Sequence, residues 1–197
     1  MIVKNTYWMF KKALNPDLCK VIKEFALEKK KQFALTGSND IKKITKEKKK
    51  EILNIRNSNI VWLREKWLYG ILNPFITSAN KDAGWNFHWD ASENIQFTIY
   101  KKNQFYDWHQ DWGPDFNRRK ISMTVQLSKP EDYEGGELEF DPRNNTDPSI
   151  SAAFTSPDFK EQGTLIVFPS FVYHRVKPVT KGTRYSLVMW STGEPFK

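Results

Sequence analysis

The stretch GTLIVFPSFVYHRVKPVTKGTRYSLVMW, residues 163–190, combines a strong β-strand signal with two side chains suited to a functional site. Runs rich in β-branched and aromatic residues alternate here with turns that contain Pro or Gly, which predicts strands that fold back on one another. His174 lies on one run and Arg184 on the next. The predicted strands are TLIVFP (164–169), VYHRVKP (172–178) and RYSLVMWS (184–191).

Five more runs of this kind precede the stretch. With them, eight short strands punctuated by Gly, Pro, Asn and Asp predict a mainly β fold with flanking helices (α+β). A sandwich or jelly roll, the double-stranded β-helix, is the expected architecture. The further strands are WNFHWD (85–90), NIQFTIYK (94–101), QFYDWHQD (104–111), KISMTVQLS (120–128) and ELEFD (137–141).

The first third of the chain predicts supporting elements rather than sheet. After a short strand at 6–13, Asn15-Pro16 provides an N-cap and a first-turn proline that open a helix. A second helix is predicted over 65–79, with a kink or break at Pro74. The apolar positions that face inward on the two helices are Leu18, Val21, Ile22, Phe25 and Ala26, then Leu68, Ile71, Leu72, Phe75 and Ile76.

Residues 30–57 are polar and Lys-rich and have no clear period, which predicts a loop. No internal repeat or linker divides the chain, so we expect a single domain over 1–197. It comprises an N-terminal strand, helices and Lys-rich loop at 1–83 and a jelly-roll core at 84–192, into which 142–162 is a long insertion.

The net charge of +8 is unevenly distributed along the 197 residues. Residues 1–66 hold 17 Lys/Arg and 7 Asp/Glu (+10), whereas residues 67–197 hold 14 and 16 (−2). The excess is concentrated in KKITKEKKKEILNIR, from Lys42 to Arg56, and a lysine run without interleaved aromatic residues is typical of a solvated face or a mobile loop. Nucleic acid is therefore not the expected partner.

The apolar content and the number of cysteines limit the classes of protein to which this chain can belong. A hydrophobic fraction of 39% supports a packed core and excludes wholesale disorder. The single cysteine, Cys19, excludes an internal disulfide. No run is long and apolar enough for a membrane span or signal peptide, so we expect a soluble, cytoplasmic protein.

Two His-x-Asp pairs could contribute to a metal site. His109 and Asp111 lie at a predicted strand end and point to one face, and His174 lies on a later strand. Two histidines and one carboxylate match the facial triad of non-haem Fe(II) oxygenases. The pair His88 and Asp90 has the same spacing, and position beside a turn favours His109/Asp111 only slightly.

Arg184 follows His174 by ten residues, beyond a turn that folds the next strand back. A planar guanidinium at that place suits a carboxylate ligand, and Ser186 on the same face adds a hydroxyl donor. An ion pair between Arg184 and a structural glutamate is an equally good interpretation of the arginine alone.

Taken in order, these motifs resemble the 2-oxoglutarate- and Fe(II)-dependent dioxygenases of the prolyl 4-hydroxylase-like group, in its compact bacterial and phage form. The resemblance covers about residues 84–192. It rests on Tyr100 nine residues before His109, on HQD (109–111), on MTVQLSKPEDYEGGELEF (123–140) and on the stretch at 163–190. It favours His109/Asp111 over the competing pair.

The resemblance implies roles for individual residues. Iron would be held by His109, Asp111 and His174. Arg184 would bind the distal carboxylate of 2-oxoglutarate, with a hydroxyl from Tyr100. Ser186 and Gln126 are further candidates for the cosubstrate pocket, and the aromatic residues near the ligands that could wall a substrate pocket are Tyr106, Trp108, Trp112 and Trp89.

Two positions depart from the family pattern. Asn103 stands where relatives often have Gly, and Asn tolerates the left-handed conformation that such a turn requires. Arg184 stands where the collagen-type prolyl hydroxylases use Lys, which leaves the substrate open.

The resemblance implies an oxidoreductase that couples decarboxylation of 2-oxoglutarate, with Fe(II) and O2 and with ascorbate as an additional expected cofactor, to hydroxylation of a C–H bond. A prolyl residue in a peptide or protein is the leading substrate. The alternatives are a free amino acid or nucleic acid as substrate, or a jelly-roll binding module without turnover. Demethylases of nucleic acids usually have a second Arg six residues after the first, where this chain has Trp190.

Overall fold

The computed structural model describes residues 1–34, 45–147 and 152–196. Thirteen β-strands and three α-helices lie within these ranges. In chain order they are β1 (Trp8–Phe10), α1 (Pro16–Leu27), β2 (Gln32–Phe33), α2 (Lys46–Ile55), β3 (Arg56–Asn57), β4 (Asn59–Leu63), α3 (Lys66–Asp82), β5 (Ala91–Ser92), β6 (Ile95–Lys101), β7 (Phe105–His109), β8 (Arg119–Gln126), β9 (Tyr133–Gly135), β10 (Leu138–Phe140), β11 (Leu165–Pro169), β12 (His174–Val176) and β13 (Val179–Thr192).

The strands form two antiparallel sheets. The larger sheet has nine strands with the path β1-β11-β8-β13-β6-β4-β2, and β5 and β9 pair with β13 outside this path. The smaller sheet has the order β10-β12-β7-β3. Long strand β13 carries Arg184 and lies at the centre of the larger sheet, whereas β7 and β12 carry the predicted histidines in the smaller one.

Both faces of the larger sheet are buried, and they differ in chemistry. On β6, Phe97 and its neighbours at alternate positions pack against the helices, whereas Thr98 and its neighbours face the other way. The helix-side residues are Ile95, Phe97, Ile99, Ile121, Met123, Val125, Leu187 and Met189. The opposite face carries Gln96, Thr98, Tyr100, Ser122, Thr124, Gln126, Arg184 and Ser186, all of which are buried. A buried polar face is expensive unless its groups are used, so this face marks where a site lies.

The flanking helices have the predicted places. Helix α1 begins after Asn15, whose side chain accepts a hydrogen bond from the Leu18 N–H at 2.8 Å, with Pro16 in the first turn. Helix α3 runs from Lys66 to Asp82 and continues through Pro74. Both helices bury one apolar stripe against the larger sheet, which confirms the two predicted helices. Val21 of α1, predicted to face inward, is instead 53% exposed, because the buried stripe of this helix runs through Cys19, Ile22 and Ala26.

Two expectations about local structure are wrong. Within 30–57 the chain forms α2 over Lys46–Ile55 rather than a loop, because Thr45 caps its N-terminus and Ile52 is buried; residues 35–44 lie outside the described part. WNFHWD (85–90) is irregular and pairs with no strand along its length. Its Asn86 has a positive φ of 53°, which breaks an extended run.

Sequence patterns also missed β4 and β9, each of which pairs with a strand of the larger sheet. None of the helices in the described ranges is long and apolar enough to cross a lipid bilayer.

Candidate functional site

A bulge in β7 gathers three aromatic rings on the inner side of the smaller sheet. His109 pairs with His174 of β12, but Tyr106 pairs with Val176, so two residues of β7 lie opposite one residue of β12. Tyr106 and His109, three positions apart, therefore share a face, and their rings stack with centroids 3.4 Å apart. The His109 and His174 ring centroids are 4.1 Å apart.

Asp111 lies just beyond the end of β7 rather than within it. The backbone N–H groups of Asp111 and Trp112 both donate to the Ser170 carbonyl at 2.9 Å, which anchors the segment to the chain after β11. The Ser122 hydroxyl of β8 donates to Asp111 Oδ2 at 2.7 Å. Ser122 of the larger sheet thus orients the carboxylate, and Ser170 fixes the backbone that carries it.

The structure brings His109, Asp111 and His174 into one cluster, with one donor atom of each within 4.8 Å of the others. The two Nε2 atoms lie 3.7 and 3.6 Å from the oxygens of Asp111. Nδ1 of His109 lies 2.7 Å from the Asp107 carbonyl, and Nδ1 of His174 lies 3.0 Å from the Val172 carbonyl. Since a carbonyl only accepts, each Nδ1 carries the proton and each Nε2 lone pair faces the shared space.

Electrostatics keep Asp111 and His109 in metal-binding protonation states. Burial alone raises the pKa of Asp111, but His174, His109 and Arg119, with the Ser122 hydrogen bond, lower it to about 2. Burial, followed by the field of His174, holds the pKa of His109 well below its usual value. At neutral pH the cluster therefore offers one carboxylate and neutral imidazole, the donor set that suits a divalent cation such as Fe(II).

The competing pair has no such surroundings. His88 is exposed in the irregular segment, and Asp90 lies 3.5 Å from the exposed guanidinium of Arg118. Within the described ranges, neither residue joins a group of metal-ligating side chains.

Arg184 is a buried cation on the polar face of the larger sheet. It pairs with Tyr100 of β6, lies with its guanidinium 5.5 Å from the Tyr100 ring centroid, and donates to the Ser186 hydroxyl at 3.2 Å. Only 3% of the residue is exposed, and no Asp or Glu of the described residues forms an ion pair with it. A buried guanidinium without a carboxylate partner is costly, and an anionic ligand would compensate it.

The region that carries the cluster and Arg184 is also the region in which the chain is similar to known proteins. Residues 95–192 match the family described as the 2OG-Fe(II) oxygenase superfamily. The chain contains a 2OG-Fe(II) oxygenase domain. This match includes every residue of the His109–Asp111–His174 cluster and Arg184, and the jelly-roll fold predicted from the strand pattern is confirmed.

Several curated hydroxylases are similar in sequence to the oxygenase domain. A PKHD-type hydroxylase of Alteromonas mediterranea is 37% identical over 102 residues, which cover 48% of this chain and 41% of that protein. One of Aliarcobacter butzleri is 30% identical over 166 residues, 84% of this chain and 62% of that protein. The matched part thus spans about two fifths to three fifths of these relatives.

Solved structures share the fold across nearly the whole chain. A Pseudomonas putida prolyl-4-hydroxylase has a TM-score of 0.69 at 19% identity and covers 95% of this chain and 92% of its own. A Trichoplax adhaerens prolyl hydroxylase, solved with a peptide of a hypoxia inducible factor oxygen degradation domain, has a TM-score of 0.67 at 19% identity and covers 96% and 84%.

Gln126 and Tyr133 extend the Arg184 pocket of the oxygenase domain. Gln126 Nε2 donates to the Tyr133 hydroxyl at 3.0 Å, whereas its buried Oε1 has no partner. Since amide O and N are assigned from the network, the reversed amide would present a donor there and accept from Tyr133. Tyr133 was not predicted, although it lies in the EDYEGGE motif. A Cβ on Gly136 would lie 3.2 Å from both the Tyr133 and Arg184 side chains, which explains one glycine of that motif.

Asn103 of the oxygenase domain adopts the conformation expected for it. Its φ is +63°, and its N–H donates to the Val179 carbonyl at 2.8 Å. The turn between β6 and β7 therefore forms without the glycine common in relatives.

The structure separates the four predicted pocket aromatics. Tyr106 contacts the cluster directly, and burial raises the pKa of its hydroxyl to about 12. Trp112 is half-buried beside the cluster and packs 6.4 Å from the Phe196 ring. Trp108 instead stacks against the guanidinium of Arg175 at 4.6 Å, and Trp89 packs against the helix-side core.

Two buried arginines near the cluster were also missed. Arg119 forms a two-pronged ion pair with Glu93 at 2.7 and 2.6 Å and donates to the Asp111 carbonyl at 3.4 Å. Its guanidinium lies 3.9 Å from the ring centroids of both Phe116 and Trp190. Arg56 of β3 lies 4.5 Å from the Tyr106 ring centroid. The ion pair between Arg119 and Glu93 joins residues 26 positions apart, which no local sequence pattern reveals.

Proposed function

We propose that this protein is a 2-oxoglutarate- and Fe(II)-dependent dioxygenase that hydroxylates a prolyl residue in a peptide or protein. In this proposal the chain is a single domain whose catalytic core is residues 84–192. The observation that carries it is the pairing of two features in one jelly roll: a cluster of two histidines and a carboxylate, and a buried arginine without an acidic partner.

His109, Asp111 and His174 are the proposed iron ligands. Each Nδ1–H is engaged by a backbone carbonyl, so the rings are held in the tautomer that offers Nε2 to a metal. The Ser122 hydroxyl holds the Asp111 carboxylate before any metal arrives, and the Asp111 and Trp112 N–H groups fix the backbone there by donating to the Ser170 carbonyl. When bound, Fe(II) would couple the decarboxylation of 2-oxoglutarate by O2 to oxidation of a C–H bond.

Arg184 is the proposed partner of the distal carboxylate of 2-oxoglutarate. Its fork of N–H donors can hold two carboxylate oxygens, and Ser186 keeps it in place through the 3.2 Å hydrogen bond. Tyr100 and Gln126 complete the proposed cosubstrate pocket, and Tyr133 joins it through its contact with Gln126. Gly136 supports the proposal because any larger residue would crowd Arg184.

A prolyl substrate is supported by the similarity of the chain to prolyl hydroxylases and by the side chains around the cluster. Prolyl hydroxylases are among the proteins of the same fold, and one was solved with a peptide. The rings of Tyr106 and Trp112 could stack on an apolar pyrrolidine, and they are the proposed pocket walls; Trp108 and Trp89 remain weaker candidates. Ascorbate is the proposed reductant that keeps iron in the Fe(II) state.

Mass spectrometry of proline-containing peptides tests this function. Incubation with Fe(II), 2-oxoglutarate, O2 and ascorbate should add the mass of one oxygen atom to a prolyl residue and form succinate in equal amount. His174→Ala should abolish both. Oxidation of a free amino acid or of a nucleic acid, with no peptide modified, would overturn the prolyl substrate. Absence of succinate with every substrate would favour a binding module.

A further inference from the structure

Helix α2 presents a row of lysines that the proposed chemistry does not use. Lys46, Lys49 and Lys50 are spaced at three and four residues, so they share one face of the helix. All three are exposed, and among the described residues none of them forms an ion pair, whereas Lys48 on another face pairs with Glu51 at 2.9 Å. We call these three residues the lysine face.

The lysine face is joined to the proposed catalytic centre by a short structural path. Helix α2 ends at Ile55, and Arg56 immediately begins β3, the edge strand beside β7. Arg56 pairs with Tyr106 and stacks on its ring, and Tyr106 in turn stacks on His109. A peptide that reaches His109 along this edge of the smaller sheet would therefore pass α2.

The positive charge of the lysine face favours peptides that carry acidic side chains. Three ammonium groups on one face attract carboxylates, whereas residues 67–197 together carry a net charge of −2. Binding of single-stranded nucleic acid uses base stacking on aromatic side chains. Helix α2 contains no aromatic residue, and the neighbouring ring of Phe33 in β2 is already covered by Lys49, whose Nζ lies 5.5 Å from its centroid. An acidic peptide segment fits this surface better than a nucleic acid.

We propose, on the basis of the function proposed above, that the lysine face binds an acidic segment of the peptide or protein substrate. Helix rise, strand spacing and the length of β7 together give a path of roughly 20–30 Å from the lysines to His109, the route that a peptide along this edge would follow. An extended peptide covers that distance in roughly six to nine residues. The substrate class is therefore a prolyl residue with Asp or Glu about six to nine positions away.

Peptide binding tests this without requiring turnover. Fluorescence anisotropy would compare a proline peptide carrying an acidic block at that spacing, on either side, with versions in which Asp and Glu become Asn and Gln. The acidic peptide should bind about tenfold more tightly, and the difference should shrink as salt is raised. A peptide with the acidic block next to the proline should lose most of the gain.

Charge reversal tests whether the preference for acidic peptides depends on the lysine face. The triple variant Lys46→Glu, Lys49→Glu, Lys50→Glu should remove the preference for the acidic peptide. The matched control reverses three exposed lysines of α1 and α3, Lys20→Glu, Lys66→Glu and Lys81→Glu, with the same change in net charge, and should keep the preference. Circular dichroism checks that both variants are folded.

The outcomes separate the two proposals. Hydroxylation of acidic and neutral peptides with equal efficiency, or equal losses in the two triple variants, overturns the docking surface and leaves the proposed function standing. Binding of single-stranded DNA through the lysine face without a preference among peptides also overturns it. If the lysine face binds peptides only when they carry Asp or Glu, but no peptide is hydroxylated, the docking surface is supported and the prolyl hydroxylase function is overturned.

Discussion

The two faces of the nine-stranded sheet are equally buried and chemically opposite. Phe97 and Met123 on the helix side have no exposed surface and contact other apolar side chains. Thr98, Gln126 and Arg184 on the other side are at most 3% exposed, yet each carries a polar or charged group. The same strands therefore build a stabilising core on one face and a binding pocket on the other.

This difference teaches how the fold divides stability and function. Apolar burial on the helix side contributes favourable free energy without any specific partner. The polar face gains little from burial and needs hydrogen bonds for every group, and Gln126 Oε1 and the Arg184 guanidinium lack the complete set. Substitutions on the two faces should accordingly separate folding from ligand binding.

Phe97→Ala should have the largest effect on folding. Removing a fully buried ring leaves a cavity in the core between the sheet and the helices, and we expect a loss of about 3–5 kcal/mol in the free energy of unfolding by urea denaturation. Thr98→Ala, the next residue and on the other face, should cost less than about 2 kcal/mol. Equal costs for the two would break the comparison.

Glu93→Gln should have an intermediate effect. It leaves the buried Arg119 without its charged partner, and because Glu93 is 32% exposed the expected loss in stability is about 1–3 kcal/mol. Mn(II) binding, measured by calorimetry, should also weaken because Arg119 contacts the Asp111 carbonyl. The control Glu137→Gln, whose lysine partners lie 3.8 and 3.9 Å away, should change neither quantity appreciably.

Arg184→Met should scarcely change stability and should abolish cosubstrate binding. Replacing an unpaired buried cation with an apolar side chain costs less than about 1 kcal/mol or stabilises the fold. Affinity for 2-oxoglutarate, titrated into the Mn(II)-loaded protein, should fall more than about 100-fold because the carboxylate loses a bidentate partner. Arg184→Lys should bind with intermediate affinity; a large loss of stability in Arg184→Met would instead indicate a structural arginine.

Cys19 offers a probe of the apolar layer that requires no substitution. Burial raises the pKa of its thiol to about 11, so at pH 8 the thiolate fraction falls from roughly one in ten to about one in a thousand. Reaction with a disulfide reagent should therefore be at least about 100-fold slower in the folded protein than in urea. Rapid reaction at pH 8 would show that the layer between α1 and the sheet admits solvent.

Local patterns in the sequence predicted much of the fold for identifiable reasons. Strands such as β6 and β8 are short, β-branched and aromatic, and α1 has a cap, a proline and a regular apolar stripe. WNFHWD (85–90) has strand-like composition, but Asn86 in a left-handed conformation prevents pairing. Helix α2 was missed because only Ile52 of its ten residues is buried, which is too little for a visible period.

The candidate site shows the same division between local and distant information. The spacing of His109 and Asp111, and the position of His174, were visible along the chain and agree with the cluster in the structure. Tyr133, Arg119 and Glu93 were not visible, because their roles depend on partners in other parts of the fold.

Residue types at short spacing were enough to predict the β-rich class, the two flanking helices and a short set of candidate ligands. The choice between His88/Asp90 and His109/Asp111 on geometry required the folded chain, because the pairing of β7 with β12 and the hydrogen bond from Ser122 of β8 to Asp111 join residues distant in sequence. Folding also left Arg184 buried without an acidic partner, and burial and pairing are properties of the folded chain alone.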